Sequence, residues 1–276
     1  MSSSVTVDAL GIKLVADASG LLDFIATGFK ANLGALIRSV NQGLACSYVS
    51  TTSFAVASGV IADSTFSETM ALATSMTKTT SAWAAGSGNG GKMSAAAIAT
   101  TTWYYVYLIK NPTTGVVDCG FDVSATAPTL PTGYTLYRLI AAVKTDGSSH
   151  WVQWISYPDG TQEWLTQSSD QTDSTLTTAR KSYTLGTVPP INVKATLYGA
   201  VSNAAASVLV GIFGDTNIAD AAPAAGSVAA GTQVANVLNY FTMKIDLLAG
   251  IVYARSTAAS TTIQLAARDF NVRPYN

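Results

Sequence analysis

Period-two alternation of apolar and polar residues runs through the second half of the chain. Val193, Ala195, Leu197 and Val201 fall on one face of a predicted strand, and Val208, Val210 and Ile212 on one face of the next. Phe241, Met243, Ile245 and Leu247 repeat the pattern, Ile251 and Tyr253 follow a short Leu-Ala-Gly turn, and Ile263, Leu265 and Ala267 complete it. Strands apolar on one face bury that face against a second sheet. Residues 176–276 are therefore expected to form a jelly-roll-like antiparallel β-sandwich ending near Arg268. The Ala- and Gly-rich stretch 219–235 reads as a loop or a poorly packed edge.

Upstream, from Cys46, β-branched and aromatic residues are punctuated by Gly, Pro and Asp-Gly, which predicts a second β domain over 46–175. Residues 47–61 read as short strands, and 101–110 as the strongest strand of the chain. Lys110-Asn-Pro-Thr-Thr-Gly115 reverses direction, so Val116 to Val123 is the natural antiparallel partner. Pro128 and Pro131 mark 125–133 as an extended crossing loop. Strands are expected at Tyr134 to Lys144 and Trp151 to Tyr157, the latter turning at Pro158-Asp159-Gly160 into Gln162 to Leu165. The polar run 166–176 has almost no apolar anchor and reads as a linker or long exposed loop.

The N-terminal segment 1–45 carries a different period. Leu22, Ile25, Phe29, Leu33, Leu36 and Val40 recur every three or four positions, the stripe of a single helix between Gly20 and Gly43, with Asp17 or Ser19 as its cap. Gly28 and Gly34 each cost such a helix about 1 kcal/mol against Ala, so it needs a surface to pack on. That surface is either another protein, which makes 1–45 a docking arm with Leu22, Ile25, Phe29, Leu33 and Leu36 as contacts, or the chain's own β body.

Composition narrows the function classes. Only 11% of residues are charged, against about 25% in ordinary soluble proteins, while 48% are hydrophobic in this 276-residue chain. So bare a surface stays in solution through Ser, Thr, Asn and Gly, or is covered by other subunits. Fifteen basic and sixteen acidic side chains leave a net charge of −1, with no basic patch for a phosphate backbone, so no nucleic-acid partner is expected. The N-terminus shows no basic and apolar leader, and no apolar run reaches the ~18 residues of a membrane span, which predicts neither signal-peptide secretion nor membrane insertion. Cys46 and Cys119 are expected as buried small residues, and whether they pair is open.

Chemistry is sparse. Gly86-Ser-Gly-Asn-Gly-Gly91-Lys92 comes near both a phosphate-binding loop and a dinucleotide fingerprint. However, Met93 stands where a Mg²⁺-holding hydroxyl belongs, and a strand follows where a helix should begin. A turn between strands is the better reading, and no cofactor is expected. His150 is the only histidine, placed in a loop; there is no Gly-x-Ser-x-Gly elbow and no metal-ligand spacing, so neither a catalytic nor a metal site is assigned. Asp215 and Asp220, close in one loop, are a weak calcium suggestion. Trp151, Trp154, Tyr157 and Trp164 form the one constellation with functional potential. Exposed, such rings stack on sugars and would suit recognition of a cell-surface glycan; otherwise they are core, since large aromatics contribute most when desolvated.

One stretch carries a family likeness. Trp83 with the Gly-Ser-Gly-Asn-Gly-Gly turn, the Thr102-Trp103-Tyr104 strand, Asn111-Pro-Thr-Thr-Gly-Val-Val-Asp118, and Ser124-Ala-Thr-Ala-Pro-Thr-Leu-Pro-Thr-Gly-Tyr134 leading to Tyr137-Arg138 span about Ser81 to Asp146. Together they resemble a module of tailed-phage and prophage virion proteins of the tail-fibre-like type, with a weaker likeness over Val188 to Arg268. The resemblance implies a non-enzymatic component of the virion that partners its own copies, a homotrimer first, and other proteins of tail, collar or head, with host-surface glycan as a further partner. A repetitive shaft is missing, so a short spike, collar element or fibre adaptor fits better than a long fibre.

Overall fold

The structure, a computed structural model, describes residues 4–7, 12–16, 22–26, 41–224, 230–232 and 234–272. Three strands come first, β1 (Ser4–Val7), β2 (Ile12–Ala16) and β3 (Leu22–Ala26), which form an antiparallel meander that, among the described residues, pairs with no other sheet. This corrects the expected helix at its start. Leu22 stands opposite Ala16 and Ile25 opposite Lys13, so both belong to a strand. Leu-Asp-Phe-Ile-Ala fits a period of two as well as a helical stripe, and its aromatic and β-branched residues favour the extended form. Phe29, Leu33 and Leu36, the rest of the expected docking stripe, lie outside the described residues. No helix occurs among the described residues, and the fold is mainly β, built of several sheets.

The next ten strands are β4 (Asn41–Gly43), β5 (Cys46–Ser50), β6 (Ser53–Val56), β7 (Gly59–Ala62), β8 (Thr69–Leu72), β9 (Met76–Ala82), β10 (Gly90–Lys92), β11 (Trp103–Lys110), β12 (Val117–Asp122) and β13 (Leu136–Lys144). β4, β7 and β8 form a small sheet, and the others a seven-stranded sheet in the order β13-β11-β12-β10-β9-β6-β5. Its centre is the predicted strand pair: β11 runs antiparallel to β12, with Val106 opposite Phe121 and Leu108 opposite Cys119. From Tyr104 to Ile109 every residue of β11 is buried, on both faces. Cys46 and Cys119 are both buried, and burial pushes the Cys119 thiol up to about 12.

The Gly-rich segment is a structural turn whose short strand β10 runs parallel to both β9 and β12. The turn is tied down from below. Lys78 Nζ donates to the carbonyls of Ala84 at 2.7 Å and Gly86 at 3.0 Å and meets Asp118 at 2.8 Å. The other carboxylate oxygen of Asp118 accepts from the Gly86 amide at 2.7 Å. Both side chains are sealed from water, at 0% and 2% exposure. Trp83 covers the pair with its ring 5.3 Å from the ammonium and donates its indole N–H to the Cys119 carbonyl at 3.1 Å.

The remaining strands are β14 (Trp154–Ser156), β15 (Gln162–Trp164), β16 (Gln171–Leu176), β17 (Lys181–Thr184), β18 (Val193–Ser202), β19 (Leu209–Phe213), β20 (Ala230–Gly231), β21 (Asn239–Leu247), β22 (Ile251–Ser256) and β23 (Thr261–Asn271). One sheet has the order β14-β15-β23-β18-β21 with β16 also on β23, and another the order β17-β22-β19-β20. The polar run expected as a linker or loop contributes β16 in its second half, with Gln171 opposite Leu265 and fully buried Leu176 as its anchor. Its polar side chains are tolerated because only one flank of the strand is paired. β14, β15 and β16 all belong to the C-terminal sheet, which therefore starts before the boundary expected at 175/176. Buried residues of these sheets and of the seven-stranded sheet join in one continuous core.

Breaking a buried ion pair on one side leaves an uncompensated charge and costs about 3–5 kcal/mol. Replacing Lys78 by Met is expected to lower the unfolding free energy by that order, measured by chemical denaturation; a loss under 1 kcal/mol would mean the pair is not what holds the turn.

Candidate functional site

Three of the four aromatics singled out from the sequence lie in the interior: Trp151, Trp154 and Trp164 are 2%, 4% and 5% exposed. Trp151 packs edge-on against Phe121 and Tyr104, with centroids 5.2 and 5.7 Å away. Trp154 stands opposite Trp164 across the β14–β15 hairpin and donates its N–H to the Cys46 carbonyl at 2.6 Å. Trp164 tilts against Trp103 and donates to the Thr187 carbonyl at 2.8 Å. None offers an open ring face, so of the two alternatives these three take the core. The reason is their place where the seven-stranded and C-terminal sheets meet. Only Tyr157, at 41% exposure, faces solvent.

Tyr157 leads to a cleft of about 640 Å³ lined by residues of the β14–β15 hairpin, β18, β21 and β23. At its centre the Glu163 carboxylate accepts from the Tyr157 hydroxyl at 2.7 Å and from Arg268 Nε at 2.6 Å. Arg268 also donates to the Tyr198 hydroxyl at 2.5 Å. A β-bulge puts Arg268 there: β18 and β23 keep register at Thr196 opposite Asp269 and resume at Leu197 opposite Ala267, leaving Arg268 unopposed. Asp269, directly across from Glu163, lies in the same cleft. Lys194, Lys244, Asp159 and Asn271 line the remainder.

The two carboxylates are driven apart. The Tyr157 hydroxyl and then Arg268 hold Glu163 below the usual carboxylate range. Burial raises Asp269, the Glu163 charge adds to the rise, and hydrogen bonds from Thr196 oppose it. Two acids shifted in opposite directions, with an arginine, two lysines and a tyrosine, make a mixed-charge cleft suited to ligands rich in hydroxyl groups.

Other singled-out groups are occupied. His150 is exposed and lies 4.0 Å from Asp146. Asp215 accepts from the Asn217 amide at 2.8 Å, while Asp220 pairs with Arg255 at 2.8 Å and Arg180 at 3.5 Å. The calcium suggestion thus gives way to an arginine clamp. Among the described residues no cluster of acidic, His or Cys side chains could hold a metal ion. Glu163, Arg268, Tyr198 and Asp269 escaped sequence reasoning. The available signal was Glu163, one of only two glutamates; nothing announced the bulge. No protein family matches the chain, and no curated protein sequence matches it.

Replacing Glu163 by Gln removes a negative charge facing Asp269 and leaves Arg268 to act on it alone. The Asp269 carboxyl is expected to titrate at lower pH in Glu163→Gln than in the wild type, followed by carboxyl ¹³C NMR. An unchanged titration would mean that the two acids do not sense each other.

Proposed function

We propose that this chain is a non-enzymatic structural component of a tailed-phage virion, a short fibre, collar or fibre-adaptor protein that assembles with its own copies and contributes to host attachment. The observation that carries the reading is that all the segments with the tail-fibre-like resemblance belong to one interlocked unit. Trp83 packs on Tyr134 at 5.2 Å, Tyr107 donates to the Ser124 carbonyl at 2.7 Å and Tyr137 to the Thr126 carbonyl at 3.2 Å. The Gly turn, the Thr-Trp-Tyr strand and the Pro-rich loop thus act as a single building block. Its mechanism is mechanical: strands buried on both faces resist deformation, and a surface poor in charge suits close apposition of subunits. The meander of β1 to β3 serves as the arm that docks on tail, collar or head proteins. Behind it, the two β regions are read as sandwich domains, the C-terminal one jelly-roll-like, assembled first as a trimer.

Mass spectrometry of density-purified phage particles tests this reading. The chain is expected at a fixed copy number per particle, and its absence from intact particles would sink the proposal.

A second reading, a host-surface glycan-binding module, is favoured by the cleft around Tyr157 and Glu163. Tyr157→Ala removes its one exposed aromatic wall. On an array of host glycans this variant is expected to lose saturable binding shown by the wild type. Binding that survives the substitution would place any glycan elsewhere, and a wild type that binds nothing would end this second reading.

A further inference from the structure

β21 ends its sheet, paired on one side with β18 along all nine residues from Asn239 to Leu247. At its C-terminal end the Leu248 amide donates to the Gly214 carbonyl at 3.2 Å, and the Gly214 backbone crowds the Asp246 carbonyl. Residues 246 and 248 thus turn their backbone groups away from β18. By strand alternation so do Tyr240, Thr242 and Lys244. Among the described residues these three find no backbone partner on that side.

Three other edges are partly covered or short. On β13 the Ala142 amide is taken by the Gln162 side chain at 3.2 Å; on β5 the Cys46 carbonyl is taken by Trp154; and β20 is only two residues long. Among the described residues the outer flank of this stretch of β21 has no such cover; exposed Val234, Val237 and Leu238 precede it, and Tyr240 is 80% exposed. An unguarded edge with an apolar border is a template for another strand.

We propose that this edge pairs with the same edge of a second copy of the chain, antiparallel about a two-fold axis at Thr242. The inference rests on the reading that the chain assembles with its own copies, and it names the surface. This register satisfies every open backbone group, because residue 240 meets 244, 242 meets 242, and 244 meets 240. The side chains are self-complementary in the same register. Thr242 faces the partner's Thr242, a favourable cross-strand pair. Tyr240 faces the partner's Lys244, an ammonium that makes no ion pair within its own chain among the described residues, so a cation–π contact forms twice. On the inner face, half-buried Phe241 meets the partner's Met243, a sulfur–aromatic contact. Lys244 also lines the cleft beside Glu163, so pairing brings the partner's Tyr240 to the cleft's rim. A two-fold contact of this kind builds even-numbered assemblies, so it joins trimers in pairs and does not itself close a trimer.

Light scattering and non-reducing gels on the full chain test the proposal. The wild type is expected at the mass of two copies or an even multiple. Tyr240→Lys, which sets like charges opposite each other twice at an exposed position, is expected to weaken association about tenfold. Opposite residues of this kind lie about 5.5 Å apart, within disulfide reach, and the native thiols are buried. Thr242→Cys should therefore give a covalent dimer on mild oxidation, whereas Ser148→Cys, at an exposed turn, should not. A monomeric wild type overturns the proposal. So does an assembly, a trimer included, that Tyr240→Lys leaves intact and Thr242→Cys fails to cross-link. The latter result would leave assembly from own copies standing on another surface, and the content of purified particles judges the virion reading separately.

Discussion

Lys78 and Asp118 meet at 2.8 Å out of contact with water, and the arrangement of the seven-stranded sheet depends on that contact. An isolated charge so placed would be prohibitively costly. Here the ammonium has two carbonyls and a carboxylate around it, and the carboxylate accepts amides from Gly86 and Cys119 as well. The groups belong to β9, the Gly-rich turn and β12. The pair therefore selects one position of the turn out of the many open to a run of four glycines, and that position lets β10 slot in parallel between β9 and β12. Glycine is required on the strand itself, because a Cβ at Gly90 would fall 1.9 Å from the Ala82 carbonyl oxygen. The motif that looks like a nucleotide loop is thus a backbone fitted around an internal ion pair, and its own lysine, Lys92, is buried and donates to the Ser94 carbonyl.

The same preference for internal use governs the aromatic residues. Trp103, Trp164 and Phe270 form a triangle with centroids 5.5 to 5.8 Å apart, drawing one ring from the seven-stranded sheet and two from the C-terminal sheet. Phe54, Phe121, Tyr104 and Trp151 make a second cluster. Each indole N–H of Trp154 and Trp164 reaches a backbone carbonyl from a distant segment. Packing and hydrogen bonding together fix how the two β regions meet, a contribution of roughly 0.5–1.5 kcal/mol per aromatic pair beyond area burial. Rigidity across this seam is what the proposed structural role requires.

Much of this was legible from the chain alone, and the failures are instructive. β11 against β12, the β14–β15 hairpin and the alternating strands β18, β21 and β23 follow from period-two patterns bounded by turn residues, signals that need no tertiary context. β3 was missed because a stretch of five residues fits either period, and pairing with β2 decides. β16 was missed because an edge strand may be polar on most positions once one residue, Leu176, anchors it. The fate of the tryptophans was beyond reach, since exposure of a strand residue depends on which sheet later covers it. The cleft was hidden for a related reason: Glu163, Arg268, Asp269 and Tyr198 come from three strands, and only the register slip at Arg268 brings the guanidinium to the carboxylate.

That slip links the two surfaces through which the chain can meet other molecules. Without the extra residue, alternation along β23 would continue unbroken from Ala267 to Phe270. The bulge instead restores Phe270 and Val272 to the core while leaving Arg268 and Asp269 in the cleft. Lys194 and Lys244 reach the same cleft from β18 and β21, so its far wall is the last strand before the sheet's open edge. Lys244 stands on that edge strand, so a strand added there would lie beside one wall of the cleft. Edge strand and cleft thus have one side chain in common, Lys244, while the bulge supplies the cleft with Arg268 and Asp269.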